Sequence, residues 1–392
     1  MLRRSYRDWR RGLAALLLAA ACVGAGGAAA QVGEAAASPK VQPAVDGVLA
    51  AFANHSLVGL GEHHGLAQEG DFYNALVLDP RFAREVGNVV VEFGSAAHQA
   101  TLDRYLAGED VPYQDLREVW TDLVGAYPAM FYTMYADFFA QVRRANSTLP
   151  PGKRIKVWLG DPGLDLARVK TPEDASPLAE GRDAVAAALI EHEILAHGKK
   201  ALVIYGFPHF HPFELRETGV RPYESIGVLL ERKHPGSLFR IEAYAGVPDR
   251  SCGTRFENRI RDWPRGSLAS PVKGTWLVAA MYGPQCHGLP YLLRPPGPKP
   301  SFTDQQLAIM EQAVRDALPD ALLYVGPEDA LTHSPVTPDS YMDPVYVKEL
   351  SRRSEVLTGR PLDWNAIANW AAKDAEPYDA RFPARGSYDI KK

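Results

Sequence analysis

Apolar residues in this chain fall into short, nearly unbroken runs, separated by longer stretches in which they recur every three or four positions. Short runs bounded by glycine read as strands buried on both faces, and the longer stretches read as helices with one apolar stripe. The runs predict strands at 57–61, 88–93, 155–160, 201–206, 238–244, 275–282 and 321–325. Helices are predicted near 66–78, 96–107, 113–122, 128–145, 181–198, 222–233 and 303–317. Strand alternating with helix implies the α/β class, a largely parallel sheet flanked by helices, with a helical insertion after the second strand. That insertion, 102–146, is crowded with Tyr105, Tyr113, Trp120, Tyr127, Phe131, Tyr132, Tyr135, Phe138 and Phe139. Such a set either packs a helical pair onto the sheet or forms a lid over an apolar cavity at the strand ends.

The ends of the chain break the pattern. Arg3, Arg4, Arg7, Arg10 and Arg11 precede the apolar run 13–23, and Ala28-Ala29-Ala30 precedes Gln31. This is the layout of a secretory signal peptide over 1–30, too short for a comfortable membrane span. Arg10-Arg11 faintly resembles a twin-arginine signal. Ala19-Ala20-Ala21-Cys22 is a poor lipobox, which disfavours a lipid anchor at Cys22. Ala- and Pro-rich 31–45 reads as a loose leader, 46–326 as the α/β domain, and Pro-rich 294–300 as an extended loop. The segment 327–392 has many prolines and tyrosines and no clear periodicity, and is expected to wrap the surface. No internal repeat is visible.

Removing the signal takes five arginines and one aspartate, so the net charge moves from −4 to −8. A mildly acidic, periplasmic or secreted protein is a poor candidate for nucleic acid and a better one for a small-molecule or peptide substrate. Cys252 and Cys286 then remain, and in an oxidising compartment they suggest one disulfide. It would close a loop of about 33 residues, worth roughly 3–4 kcal/mol by the chain-entropy model.

Four successive predicted strands end in titratable side chains. The first delivers Glu62, His63 and His64, and the second ends in Glu92. The third runs into Asp161, and the fourth into His209 with His211 two residues on. In a parallel sheet all carboxyl ends share one edge, where open α/β folds bind ligands. A histidine beside a carboxylate is a general base for water at neutral pH. The same side chains, His64, Glu92 and His209, are alternatively the N/O ligands of a divalent metal with an open position for water. No serine or cysteine stands in a nucleophile-elbow context. His192 and His197 imitate a zincin helix, but their i, i+5 spacing separates them by about 140° around the helix.

These residues resemble the superfamily that groups erythromycin-esterase-like hydrolases, Tiki/TraB-type proteins and ChaN-type haem-binding lipoproteins. Its marks are two Gly-x-x-His motifs at strand ends, here Gly61-Glu62-His63-His64 and Gly206-Phe207-Pro208-His209, with a strand-end glutamate, here Glu92. The stretch from His98 to Gly108 is similar to the helix that follows that glutamate in ChaN-type members. Arg182-Asp183 is similar to an Arg-acid pair of the esterase-like branch. Erythromycin esterases carry Glu-x-x-His in the first motif and His-Asn-x-His near the fourth strand, where this chain has Glu62-His63-His64 and Gly206. The Gly-x-x-His form is closer to the Tiki and ChaN branches, which imply metal-dependent peptide hydrolysis and haem binding respectively.

The expectation is therefore an exported hydrolase with Glu62, His64, Glu92, His209 and Arg182 in its machinery and His63, Asp161 and His211 as cofactor-binding residues. Arg182 would hold a substrate carboxylate or developing charge. A haem or iron-ligand binding protein is the alternative, with His or Tyr ligands.

Overall fold

In a computed structural model, the chain is described over residues 37–125, 131–211, 224–247, 250–281 and 318–363, with 312, 365, 367 and 368. The expected signal peptide, Cys22, Tyr127, Cys286, the 294–300 loop and nearly all of the 303–317 helix lie outside the described residues. The fold is α/β, as the alternating pattern implies. Eight strands, β1 Lys40–Pro43, β2 Leu57–Glu62, β3 Asn88–Ser95, β4 Lys156–Asp161, β5 Ala201–Gly206, β6 Leu238–Ala243, β7 Ser267–Ser270 and β8 Ala321–Tyr324, form one sheet. Their order is β1-β7-β8-β6-β2-β5-β3-β4. From β8 to β4 every pairing is parallel, and β7 and β1 add an antiparallel edge.

Two readings of the apolar pattern are corrected. The run 275–282 is not a strand: Trp276–Met281 forms a helix whose Trp276, Leu277 and Met281 are buried. A short apolar run does not by itself distinguish a strand from a buried helical turn. The two strands not read from the pattern are β7, too short and too polar to signal itself, and β1, which lies in the stretch read as a loose leader. Lys40 to Pro43 pair antiparallel with Ser270 to Ser267. Backbone pairing along a sheet edge needs no apolar side chains, so composition gave no sign of it.

Strand parity assigns the helices to faces. Val58, Leu60, Val89, Val91, Leu202 and Ile204 face one side, where they pack with α1 Ala44–Ala51, α2 Ala67–Leu78, α3 Pro80–Glu85, α4 Gln99–Ala107, α5 Tyr113–Leu116, α6 Glu118–Thr121 and α7 Thr133–Ser147. Leu57, Val90, Ala201, Val203 and Tyr205 face the other, against α8 Pro172–Glu193 and α9 Ile226–Lys233. The helix α8 opens on a capping box between Thr171 and Asp174, with Pro172 at its first position, where a missing N–H costs nothing. Most of the aromatic insertion is core: Trp120, Phe131, Tyr132, Tyr135, Phe138 and Phe139 are buried and Phe93 stacks on Tyr135 at 4.4 Å, whereas Tyr113 is exposed. Each buried ring contributes about 1.5–3 kcal/mol by burial.

After β8 the chain runs back across this face. Ser334 N–H donates to Gly65 O at 2.7 Å and Thr337 N–H to Phe131 O at 2.8 Å. The helices α10 Arg250–Ile260 and α11 Trp276–Met281 cover the β7–β8 end, and α12 Asp339–Met342 and α13 Pro344–Thr358 follow the strap. Arg117 reaches Asp339 and Asp343, and Arg353 reaches Glu118. No helix among the described residues is long and apolar enough to cross a membrane.

Candidate active site

The parallel strands β2, β3, β4 and β5 end on one edge, and parity sends their terminal acids in different directions. Glu62 shares the parity of Val58 and Leu60, so it turns toward α2 and α7. There Tyr135 Oη donates to Glu62 Oε1 at 2.8 Å, and Tyr73 Oη stands 3.3 Å from Oε2. Glu92 shares the parity of Val90 and turns toward α8, where Arg182 Nη1 donates to its Oε1 at 2.8 Å. A buried carboxylate must be paired or hydrogen-bonded, and both strand-end glutamates are.

Between them lies His64. Its Nδ1 is 2.6 Å from Glu62 Oε1, so the ring proton sits on Nδ1 and Nε2 carries the lone pair when the ring is neutral. The Nε2 edge lies over Gly206, whose N–H donates to Glu92 Oε2 at 2.6 Å. A Cβ at Gly206 would press on both His64 and Glu92, which is why the second motif opens on glycine. Burial opposes a charge on His64, but the Glu62 hydrogen bond and the Glu92 and Glu62 carboxylates outweigh it and raise its pKa above 6.5.

His209 is held differently. Its Nδ1 bonds Asp183 at 2.7 and 2.8 Å, while Nε2 is 3.2 Å from Glu92 Oε1 and 2.7 Å from Arg182 Nη2. Burial resists protonation, but Glu92 and Asp183 prevail and push His209 up to about 9. A donor–donor spacing of 2.7 Å suits a neutral ring, so the Arg182 contact and the carboxylates pull in opposite directions. The carboxylates of Glu92 and Asp183 outweigh burial and keep the His209 pKa raised. Burial would raise Glu92, yet His209 and Arg182 hold it well below the usual carboxylate range. Two acids and two bases thus form a closed, charge-balanced quartet with Arg182, which is 18% exposed, at its rim.

Asp161 is buried and does not reach His64 or Glu92 by any hydrogen bond. It accepts N–H bonds from Val124, Gly125 and Gly163, each at 2.9 Å, and burial still pushes it up to about 6. This clamp fixes the loop that backs Arg182, where a side chain on Gly125 would overlap the guanidinium. Asp161 therefore acts on the site through Arg182. His211 packs edge-on against Phe207 at 4.5 Å, and its carbonyl accepts from Ser225 at the start of α9. His63 belongs to a second pair, with Glu69 of α2. His192 meets Glu193 on an exposed helix end, away from these groups.

Sequence reasoning missed Glu69, Tyr73, Tyr135 and Glu242. Glu242, buried at the end of β6 and opposite Gly61, had the same signal as Glu92: an acid closing an apolar run. The tyrosines carried no signal beyond their place in helical stripes. Asp183 was visible only beside Arg182.

No family model and no curated protein matches the chain. A solved structure, the type III effector HopBA1, is similar over 54% of this chain and 89% of its own, at 16% identity and a TM-score of 0.30. Likeness at that level carries no functional argument.

Proposed function

We propose that the chain is an exported hydrolase in which His64, oriented by Glu62, takes a proton from water. Arg182, anchored by Glu92, stabilises the negative charge that grows on the substrate's carbonyl oxygen. The substrate is a carboxylic ester or amide of a small molecule or peptide. The observation that carries this reading is the contrast between the two motif histidines. His64 is 29% exposed with one nitrogen committed to a buried acid, whereas His209 is buried with both nitrogens engaged. The first is built as a base and the second as a support.

The residues His64, Glu92 and His209 fit a shared divalent metal poorly. Arg182 lies within 2.8 Å of Glu92 and 2.7 Å of His209 Nε2, where such an ion would need its ligands free. Among the described residues no group of three or more His, Cys, Asp or Glu side chains is arranged to hold a metal ion. A permanent guanidinium supplies the positive charge that a metal would otherwise provide. The test is turnover of an ester panel by the purified protein before and after exhaustive chelation, alongside its elemental analysis and visible spectrum. Turnover should survive chelation and fall about 10²–10⁴-fold in His64→Gln. Metal-dependent turnover or a Soret band would overturn the assignment.

A further inference from the structure

Where β2 ends, two consecutive histidines are each paired with a buried carboxylate. The hydrolase reading uses the pair Glu62–His64. The other is Glu69–His63. Glu69, in the first turn of α2, is fully buried and accepts from the His63 backbone N–H at 3.1 and 3.2 Å. Its Oε1 also lies 3.1 Å from His63 Nδ1. The two carboxylates are bridged by one hydroxyl: Tyr73 Oη donates to Glu69 Oε2 at 2.7 Å and stands 3.3 Å from Glu62 Oε2. His63 and His64 are thus the two ends of one hydrogen-bonded chain, His63–Glu69–Tyr73–Glu62–His64.

The arrangement is expensive for the fold, since two buried acids lie on one tyrosine. Both rings keep solvent contact, 22% for His63 and 29% for His64. In each, Nδ1 is committed to its glutamate, and among the described residues neither Nε2 has a hydrogen-bond partner. The groups around His63 differ from those around His64. His63 feels Glu69 and, from the end of β6, Glu242, with the repulsion of His64. His64 feels Glu62 and Glu92 with the repulsion of His209. Repulsion between the two imidazoles separates their titrations, so that between the two pKa values one ring is charged and the other neutral.

We propose that His63 is the general acid of this site and Glu69 its positioning residue, so that the adjacent histidines divide the reaction between them. This rests on the hydrolase reading above. As the water oxygen bonds to the acyl carbon, His64 Nε2 takes its proton. As the bond from the acyl carbon to the leaving oxygen breaks, that oxygen takes the proton from His63 Nε2. Ester and water become acid and alcohol, with the enzyme's proton moved from His63 to His64 and restored through solvent.

The test compares wild type, His63→Gln, Glu69→Gln and His64→Gln on acetate esters graded from 4-nitrophenyl to phenyl to ethyl. A nitrophenolate leaves without a proton, whereas an alkoxide does not. His63→Gln should therefore lose rate in proportion to leaving-group basicity, about 10²-fold or more on ethyl acetate and far less on the nitrophenyl ester. It should also lose the alkaline limb of the kcat/KM–pH profile. Glu69→Gln should keep that limb but move it to lower pH. His64→Gln should fall equally on all three esters. An equal loss across the esters in His63→Gln, with the pH profile unchanged, would overturn the general acid and leave the hydrolase reading standing. No ester turnover by wild type would remove both.

Discussion

Each histidine at the sheet edge owes its role to the acid behind it. His64 is lifted by Glu62 and Glu92, so its neutral, proton-accepting form dominates only above pH 6.5. The kcat/KM of the wild type should rise with pH through an inflection above that value, and His64→Gln should cost about 10²–10⁴-fold. Removing the Glu92 charge takes away one of the groups that favour the imidazolium. An NMR titration of His64 should show its pKa falling in Glu92→Gln, and a rise or no change would contradict the electrostatic account. Tyr135→Phe tests the support of Glu62. It removes one donor to a buried carboxylate and should cost about 1–3 kcal/mol in urea unfolding while leaving the packed ring in place.

At the scale of the element, strand parity does the sorting. One step along a strand turns a side chain to the other face, so Glu62 meets the tyrosines of α2 and α7 while Glu92 meets Arg182 of α8. Asp161 shows how an element end can serve a site without joining it. Its two oxygens satisfy three backbone N–H groups, two of them in the loop that abuts Arg182. Asp161→Ala leaves those donors buried and should destabilise the protein by about 2–4 kcal/mol. The same variant should weaken turnover through a misplaced Arg182. A thermal or urea melt indistinguishable from wild type would show that the clamp is not needed.

For the whole molecule, the buried quartet links stability to pH. His209 binds its proton more tightly folded, at about 9, than its ordinary 6.5, so its contribution is full below pH 6.5 and is lost as pH rises through about 9. That contribution is on the order of 3 kcal/mol, at about 1.4 kcal/mol per pKa unit. Glu92 is held low, so its contribution is present above its ordinary 4.5 and is lost as pH falls toward its depressed value. Melting temperature should therefore decline above about pH 6.5; on the acid side Asp161, raised to about 6, offsets part of the loss from Glu92, because its contribution is present below its ordinary 3.8 and is lost as pH rises through about 6. His209→Gln should flatten the alkaline decline; an unchanged alkaline slope would place its origin elsewhere. The expected Cys252–Cys286 bridge is checked by intact mass, with a gain of about 2 Da on reduction.

The α/β class, four of the strands whose ends build the site and the acids and histidines that close them were legible in the residues alone. The reason is that a strand buried on both faces must be apolar throughout, so a titratable residue at its end stands out. The antiparallel strands β1 and β7 and the helix at Trp276–Met281 were not legible, because backbone pairing and short apolar turns leave no distinctive period. Partnership was decided by the tertiary structure. The strand ends announced Glu62, His63, His64, Glu92 and His209. Only packing could assign His64 to Glu62, His63 to Glu69 and His209 to Asp183, because those bonds depend on which helix covers which face. Packing also turned His211 toward Phe207 and made Asp161 a loop clamp, two roles that depend on three-dimensional neighbours rather than on position along the chain.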